Sequence, residues 1–186
     1  MVARCQQRQC KNERLTDNSM HEHPFKLQLH KRTYISFSLY SFTRSLSSSM
    51  ILITGADQYV GHCVASHLAS HRYLRSRLRL ACRDKDLCLG FSNKNIDVRQ
   101  IDYYHPHELS KAFRGIDHVI LAVGNEHDRV AIAENICKVA DRSGVKSIVC
   151  VSQVGATATE YPHLRHFASI EDNVVNTTNC DWVILR

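Results

Sequence analysis

No apolar run in the 186 residues approaches the roughly 18–20 needed to span a membrane as a helix. The longest candidates, such as His118–Gly124, have the length of a strand. Nor does the sequence offer a metal or disulfide framework. Its eight cysteines, at positions 5, 10, 63, 82, 88, 137, 150 and 180, contain no C-x-x-C pair, and none of its twelve histidines sits in an H-E-x-x-H motif. Several cysteines fall inside apolar segments, where Cys behaves as a small hydrophobe. They read as reduced thiols of an intracellular protein, with no metal site. Acid is missing from one stretch altogether: Lys31–Ser49 carries no Asp or Glu.

That last absence locates the net charge of +6. Residues 1–49 hold eight Lys and Arg against three Asp and Glu, while the remainder holds sixteen against fifteen. The basic character therefore belongs to the leader. A nearly neutral remainder argues against a direct nucleic-acid-binding face. Residues 1–49 show no sustained period of 2 or 3.6. Two readings of them stand: an Arg- and Ser-rich, acid-poor mitochondrial transit peptide, or a disordered extension ahead of the working start. Met50, at the head of the first apolar strand, favours the second and with it a cytoplasmic protein.

From residue 50 onward strands and helices alternate. Met50–Thr54, Leu78–Cys82, Asp117–Val123, Lys146–Val151 and Trp182–Leu185 are short, largely apolar runs, as expected of strands covered on both faces, and Asn95–Ile101 is a short third strand in chain order. Between them lie segments of helical spacing. Tyr59–His71 repeats Val60, Val64, Ala65 and Leu68. Pro106–Arg114 begins with a proline suited to a first helical position. Glu126–Ser143 ends before Gly144. His163–Thr177 carries Phe167, Ile170, Val174 and Val175 on one side. Parallel strands need crossover helices, and such crossovers are right-handed. The expected fold is α/β, a doubly wound parallel sheet (Rossmann fold) of about six strands, of order 3-2-1-4-5-6, in one domain over residues 50–186.

The first strand runs into Thr54-Gly55-Ala56-Asp57-Gln58-Tyr59-Val60-Gly61 and then a helix. Gly55 allows a tight turn and Gly61 a close helix–strand approach, so amides at the helix N-terminus would face a pyrophosphate. The bland alternative is a plain β–α turn. The middle position of the G-x-x-G-x-x-G fingerprint is Gln58, whose side chain could obstruct phosphate or demand a φ unsuited to Gln, and Asp57 adds negative charge nearby. Weakened affinity with an intact fold is expected. An acid is also missing at the end of the second strand, where NAD-selective proteins bind the ribose 2′-hydroxyl. Cys82-Arg83 stands there instead, and Arg can pair with a 2′-phosphate. NADP(H) is thus favoured over NAD(H), against the reading of Arg83 as a solvated surface residue.

The order of motifs resembles the NmrA-like branch of the atypical short-chain dehydrogenases. The branch's TGATGYVG loop is similar to TGADQYVG here. Its D-Y-x-x-x-x-x-L-x-x-A-F-x-G-x-D segment is matched by Asp102-Tyr103, Leu109, Ala112-Phe113, Gly115 and Asp117. A third segment is matched by Asn135, Val139-Ala140, Gly144-Val145-Lys146, Ile148-Val149 and Val151-Ser152. A fourth is matched by Ile170-Glu171, Val174 and Trp182–Arg186. The resemblance implies that Asp102 and Tyr103 flank adenine and that Ala122, Val123 and Gly124 pass beside the ribose and nicotinamide. Read without it, Asp102 ends a strand in a turn and Gly124 terminates another. Relatives of this kind continue past I-L-R into a small substrate lobe, so the resemblance implies truncation.

Catalytic groups are scarce. Ser152 occupies a plausible strand-end position, and Tyr161-x-x-x-Arg165 has the spacing of a Tyr/Lys pair with Arg in place of Lys. Arg holds its proton too tightly to relay it, and Pro162 places Tyr161 ahead of the helix. Ser152 and Tyr161 therefore also read as loop residues, and His166 as a structural or solvated one. Two functions follow. One is an NADP(H)-dependent reductase of quinone or carbonyl substrates, or its truncated remnant. The other is a non-catalytic regulator that senses the NADP redox state and acts through a protein partner.

Overall fold

The computed structural model describes Gln28–Leu29, Thr33–Tyr34 and residues 49–124, 127–156 and 160–186. Most of the leader and the expected helix start at Glu126 lie outside the described residues. Within the leader, β1 (Gln28–Leu29) and β2 (Thr33–Tyr34) pair antiparallel, an element that the sequence pattern did not signal.

Six further strands form one parallel sheet: β3 (Ile51–Ile53), β4 (Leu78–Cys82), β5 (Asp97–Gln100), β6 (His118–Leu121), β7 (Ser147–Val151) and β8 (Asp181–Leu185). Their order is β5-β4-β3-β6-β7-β8, and every neighbouring pair is parallel. Counted within the sheet this is the expected 3-2-1-4-5-6. The helices are α1 (Tyr59–Ser70), α2 (Arg72–Arg75), α3 (Leu89–Ser92), α4 (Pro106–Phe113), α5 (Arg129–Arg142) and α6 (Pro162–Thr177). A 3₁₀ turn at Asp86–Cys88 precedes α3. Together they carry the crossover from β4 to β5, where the sequence showed no helical period because each is a single turn. Phe91 anchors that crossover by its burial. Among the described residues no helix is long and apolar enough to cross a membrane.

The apolar character of the inner strands has its cause in two separate cores, whereas edge strand β5 alternates, with Val98 buried and Arg99 exposed. Ile51, Ile53, Leu78, Leu80 and Cys82 pack with Ala65 and Ala69 of α1 and Phe91 of α3. Leu52, Ala81, Val119, Leu121 and Ile148 pack with residues of α4, α5 and α6 on the opposite face. Winding to the left of β3 therefore places helices on one face and winding to the right places them on the other, as right-handed crossovers require. The direction reverses between β3 and β6, and in such sheets ligands bind beyond the strand ends at that reversal. Just before β3, the Met50 amide donates to Asp117 Oδ2 at 2.9 Å, and Lys146 Nζ lies 2.6 Å from the same carboxylate's other oxygen. Lys146, first, and the Met50 amide hold the Asp117 carboxyl below its ordinary range.

Leu52 is fully buried in the central strand. Leu52→Ala should lower unfolding free energy by about 2–5 kcal/mol in a urea titration; a loss below about 1 kcal/mol would contradict a tightly packed sheet centre.

Candidate functional site

Every group of interest lies at the carboxyl ends of the strands. Thr54 follows β3 directly, and its buried hydroxyl both donates to the Ala122 carbonyl and accepts the Ala122 amide, each at 3.0 Å. This fixes the spacing of β3 and β6 at the point where the sheet's winding reverses. Gly55 then turns with φ +60, and a Cβ there would stand 2.7 Å from the Ala122 oxygen. A Cβ on Gly61 would lie 2.0 Å from the Gly55 oxygen. The two glycines of the expected loop are thus a tight turn and a close helix approach.

The amides of this turn divide into two groups. The Gly55 amide donates to Tyr103 Oη at 2.9 Å, and the Ala56 amide to the Ala81 oxygen at 3.1 Å. Tyr103 in turn donates to the Ala81 oxygen at 3.2 Å. The Gln58 amide closes the turn onto the Gly55 oxygen. The first intrahelical bond of α1 comes from His62 to the Gln58 oxygen. The amides of Tyr59, Val60 and Gly61 precede it, and they have no acceptor among the described residues. With the Asp57 amide, which likewise has no acceptor among the described residues, four donors stand at the turn and the positive end of the α1 dipole.

Gln58 caps α1 at φ −99, ψ 156, ordinary extended backbone. The expectation of an unsuitable φ for Gln at this position is corrected: the middle residue of the loop is unstrained. Asp57 does not project freely. Its Oδ2 accepts the amides of Arg83 and Asp84 at 3.0 and 3.1 Å, tying the first loop to the chain beyond β4.

Arg83 lies over the Tyr103 ring, 5.8 Å from its centroid, and its Nη2 is 3.2 Å from Asp128 Oδ2. The Tyr104 hydroxyl donates to that same carboxylate oxygen. The Tyr104 bond, first, and Arg83 keep the Asp128 carboxyl below its ordinary range, while Asp128 pushes the Tyr104 phenol up. Asp102 accepts the Tyr104 amide at 2.8 Å and pairs with His105 Nδ1 at 2.7 Å. These contacts, the amide first, lower its carboxyl. A cleft of about 650 Å³ opens among Arg83, Gln100, Asp102, Tyr104, Glu108 and Asp128.

Of the pair Asp102-Tyr103, then, Asp102 lines the cleft in a turn. Tyr103 is buried beneath the loop, and burial pushes its phenol up. Ala122 is buried, and Val123 and Gly124 are half-buried at the end of β6. Tyr104 and Asp128 escaped the sequence reading. Asp128 contacts Arg83 across 45 residues of chain, and only the position of an Asp just before an apolar-periodic helix hinted at a cap.

At the other end of the rim Ser152 Oγ donates to Glu171 Oε1 at 2.5 Å, and the buried Glu171 is paired with Arg186 through Oε1 at 2.9 Å and Oε2 at 2.5 Å. Tyr161 is exposed at the N-cap of α6, whose first residue is Pro162. His166 Nδ1 is buried without a partner among the described residues. No hydrogen bond joins Ser152, Tyr161 and His166 among the described residues. Among them, too, no cluster of His, Cys, Asp and Glu could hold a metal ion. Burial raises the described core thiols, that of Cys137 to about 12.

A family described as NAD(P)H-binding matches residues 55–186. Comparison with curated proteins gives no match. Among solved structures, the triphenylmethane reductase of Citrobacter sp. complexed with NADP(H) is 25% identical, with a TM-score of 0.63 over 69% of this chain and 46% of that one. The NADPH-dependent quinone oxidoreductase of Escherichia coli complexed with NADPH is 25% identical, with a TM-score of 0.68 over 74% of this chain and 48% of the other. A wide-type short-chain dehydrogenase/reductase of Veillonella parvula in complex with NADP, 17% identical at a TM-score of 0.62, shares the fold. The chain spans about half the length of the two reductases.

Two substitutions test the turn. Gly→Ala inside a helix ordinarily stabilises by up to about 1 kcal/mol, but Gly61→Ala should destabilise, read as a fall in Tm; a rise would show that the close approach is relaxed. Tyr103→Phe leaves the Gly55 amide unpaired and should cost about 1–3 kcal/mol in denaturant unfolding, whereas an unchanged midpoint would mean that another acceptor takes that amide.

Proposed function

We propose, because this chain belongs to the NAD(P)H-binding family matched over residues 55–186, that it is an NmrA-like NADP(H)-dependent reductase acting on a quinone or carbonyl substrate. The observation that carries this reading is the turn at 55–61. Unpaired amides open α1, and Asp57 of the same turn holds the Arg83 amide, so one end of the rim suits a diphosphate and the next loop offers a guanidinium. Nearby solved reductases complexed with NADP(H) and NADPH support the choice of coenzyme.

In this reading the amides of Tyr59, Val60 and Gly61 bind the pyrophosphate, while Thr54 and Gly55 set the turn that aims them. Asp57 braces the loop against Arg83 without touching the coenzyme, and Arg83 takes the 2′-phosphate. Asp102 and the half-exposed Tyr104 border the adenosine end, with Tyr103 as the support beneath. Ala122, Val123 and Gly124 run beside the ribose and nicotinamide. The bound coenzyme supplies the hydride. Gln58, unstrained but half-buried at the middle of the loop, narrows the approach of phosphate.

A second reading, a non-catalytic NADP(H)-sensing regulator working through a protein partner, draws support from two observations. Ser152 directs its proton into the Glu171–Arg186 pair, and Tyr161 stands exposed ahead of α6. Neither is poised to pass a proton to a substrate.

Coenzyme oxidation under excess NADPH with a panel of quinones and aldehydes separates the two. Turnover is expected and would exclude a purely regulatory role; calorimetric NADPH binding without turnover on any substrate would overturn the reductase. Gln58→Gly should tighten NADPH binding, and an unchanged Kd would show that this side chain lies outside the phosphate path.

A further inference from the structure

The cleft beyond β4 and β5 is lined by one guanidinium and three carboxylates, those of Asp102, Glu108 and Asp128. Two of the three already have other work. Asp102 holds the Tyr104 amide and His105, and Glu108 Oε2 accepts the Asp102 amide at 3.0 Å. Asp128 alone reaches Arg83, at 3.2 Å, while its other contact is the Tyr104 hydroxyl. The pair is no buried strut, since the Arg83 and Asp128 side chains are 36% and 34% exposed. Both are open to whatever enters the cleft.

This arrangement matters because of what each group prefers at a ribose 2′ position. A 2′-phosphate seeks the fork of Arg83 and would stand beside a carboxylate of like charge, a contact only partly screened at these short distances. A free 2′-hydroxyl is a donor that a carboxylate accepts, and NAD-selective sheets supply that acid from the end of the second strand. Here the second strand of the sheet ends in Cys82-Arg83, and the acid arrives from a different place, the loop between β6 and α5.

We propose that Asp128 is a specificity-determining residue: by pairing with Arg83 it weakens binding of the 2′-phosphorylated coenzyme and accepts the 2′-hydroxyl of the other, so that it sets the ratio of NADPH to NADH binding. The inference rests on the reading of Arg83 as the 2′-phosphate ligand. The chain then binds both coenzymes, with Arg83 and Asp128 pulling the preference in opposite directions.

The test is calorimetric titration of the full chain, as wild type, Asp128→Asn, Asp128→Ser and Arg83→Ala, with NADPH and NADH at one ionic strength. The readout is the ratio of the two Kd values, which cancels any loss common to both coenzymes. Asp128→Asn should shift the ratio about tenfold toward NADPH, equivalent to about 1.4 kcal/mol. Asp128→Ser, whose hydroxyl suits the N-cap position of α5, must move it the same way and serves should the Asn variant fold poorly. Arg83→Ala should shift it toward NADH by about tenfold or more. If Arg83→Ala shifts the ratio and neither Asp128 variant does, or they shift it toward NADH, the role of Asp128 is overturned alone. An Arg83→Ala ratio equal to wild type, or a wild type that binds neither coenzyme, overturns the reading of Arg83 and the inference with it.

Discussion

The packing of Gly61 onto the Gly55 carbonyl is the constraint on which the rest of the rim depends. With a virtual Cβ only 2.0 Å from that oxygen, no other residue lets α1 start so close to the end of β3. That approach brings the first, unpaired amides of the helix to the rim of the sheet. It does so beside β6, where the winding direction reverses and adjacent loops part to leave room for a ligand. A looser turn would still permit a parallel sheet, but the helix N-terminus would no longer be aimed along the strand ends.

Polar contacts hold that turn from three sides. Thr54 ties it to β6 through both polar atoms of Ala122. Tyr103, arriving after β5, reaches under it to the Gly55 amide and the β4 carbonyl of Ala81. Asp57 crosses to the amides that follow β4. The loop is thereby preorganised by the strand ends around it, and the amides without an acceptor among the described residues are those of Asp57 and the start of α1. A donor array fixed in advance spends little on reorganisation when an anion arrives. Tyr103, expected beside adenine, lies buried under the turn and is part of that support.

The opposite end of the rim is organised otherwise. Ser152, Glu171 and Arg186 form a partly buried polar chain that joins the end of β7 to α6 and to the residue after β8. Ser152 and Arg186 both donate to the Glu171 carboxylate, which suits a brace more than a proton relay. The two ends thus differ in kind: unpaired amides and a half-exposed ion pair on the β3–β4 side, internal pairing on the other.

Periodicity and turn chemistry in the sequence determined the six strands, four of the helices, the strand order and the position of the glycine turn. Those features depend on short-range patterns: apolar runs covered on both faces, helical spacing, a proline at a first turn, and the fixed hand of crossovers. The single-turn helices at Arg72–Arg75 and Leu89–Ser92 had too few residues to express a period. What only the tertiary structure decided were pairings across long stretches of chain: Tyr103 under Gly55, Asp57 on the chain after β4, Asp128 and Tyr104 against Arg83, and Ser152 turned toward Glu171. A side chain's partners depend on which strand ends become neighbours, and a local pattern carries no record of that until the sheet has closed.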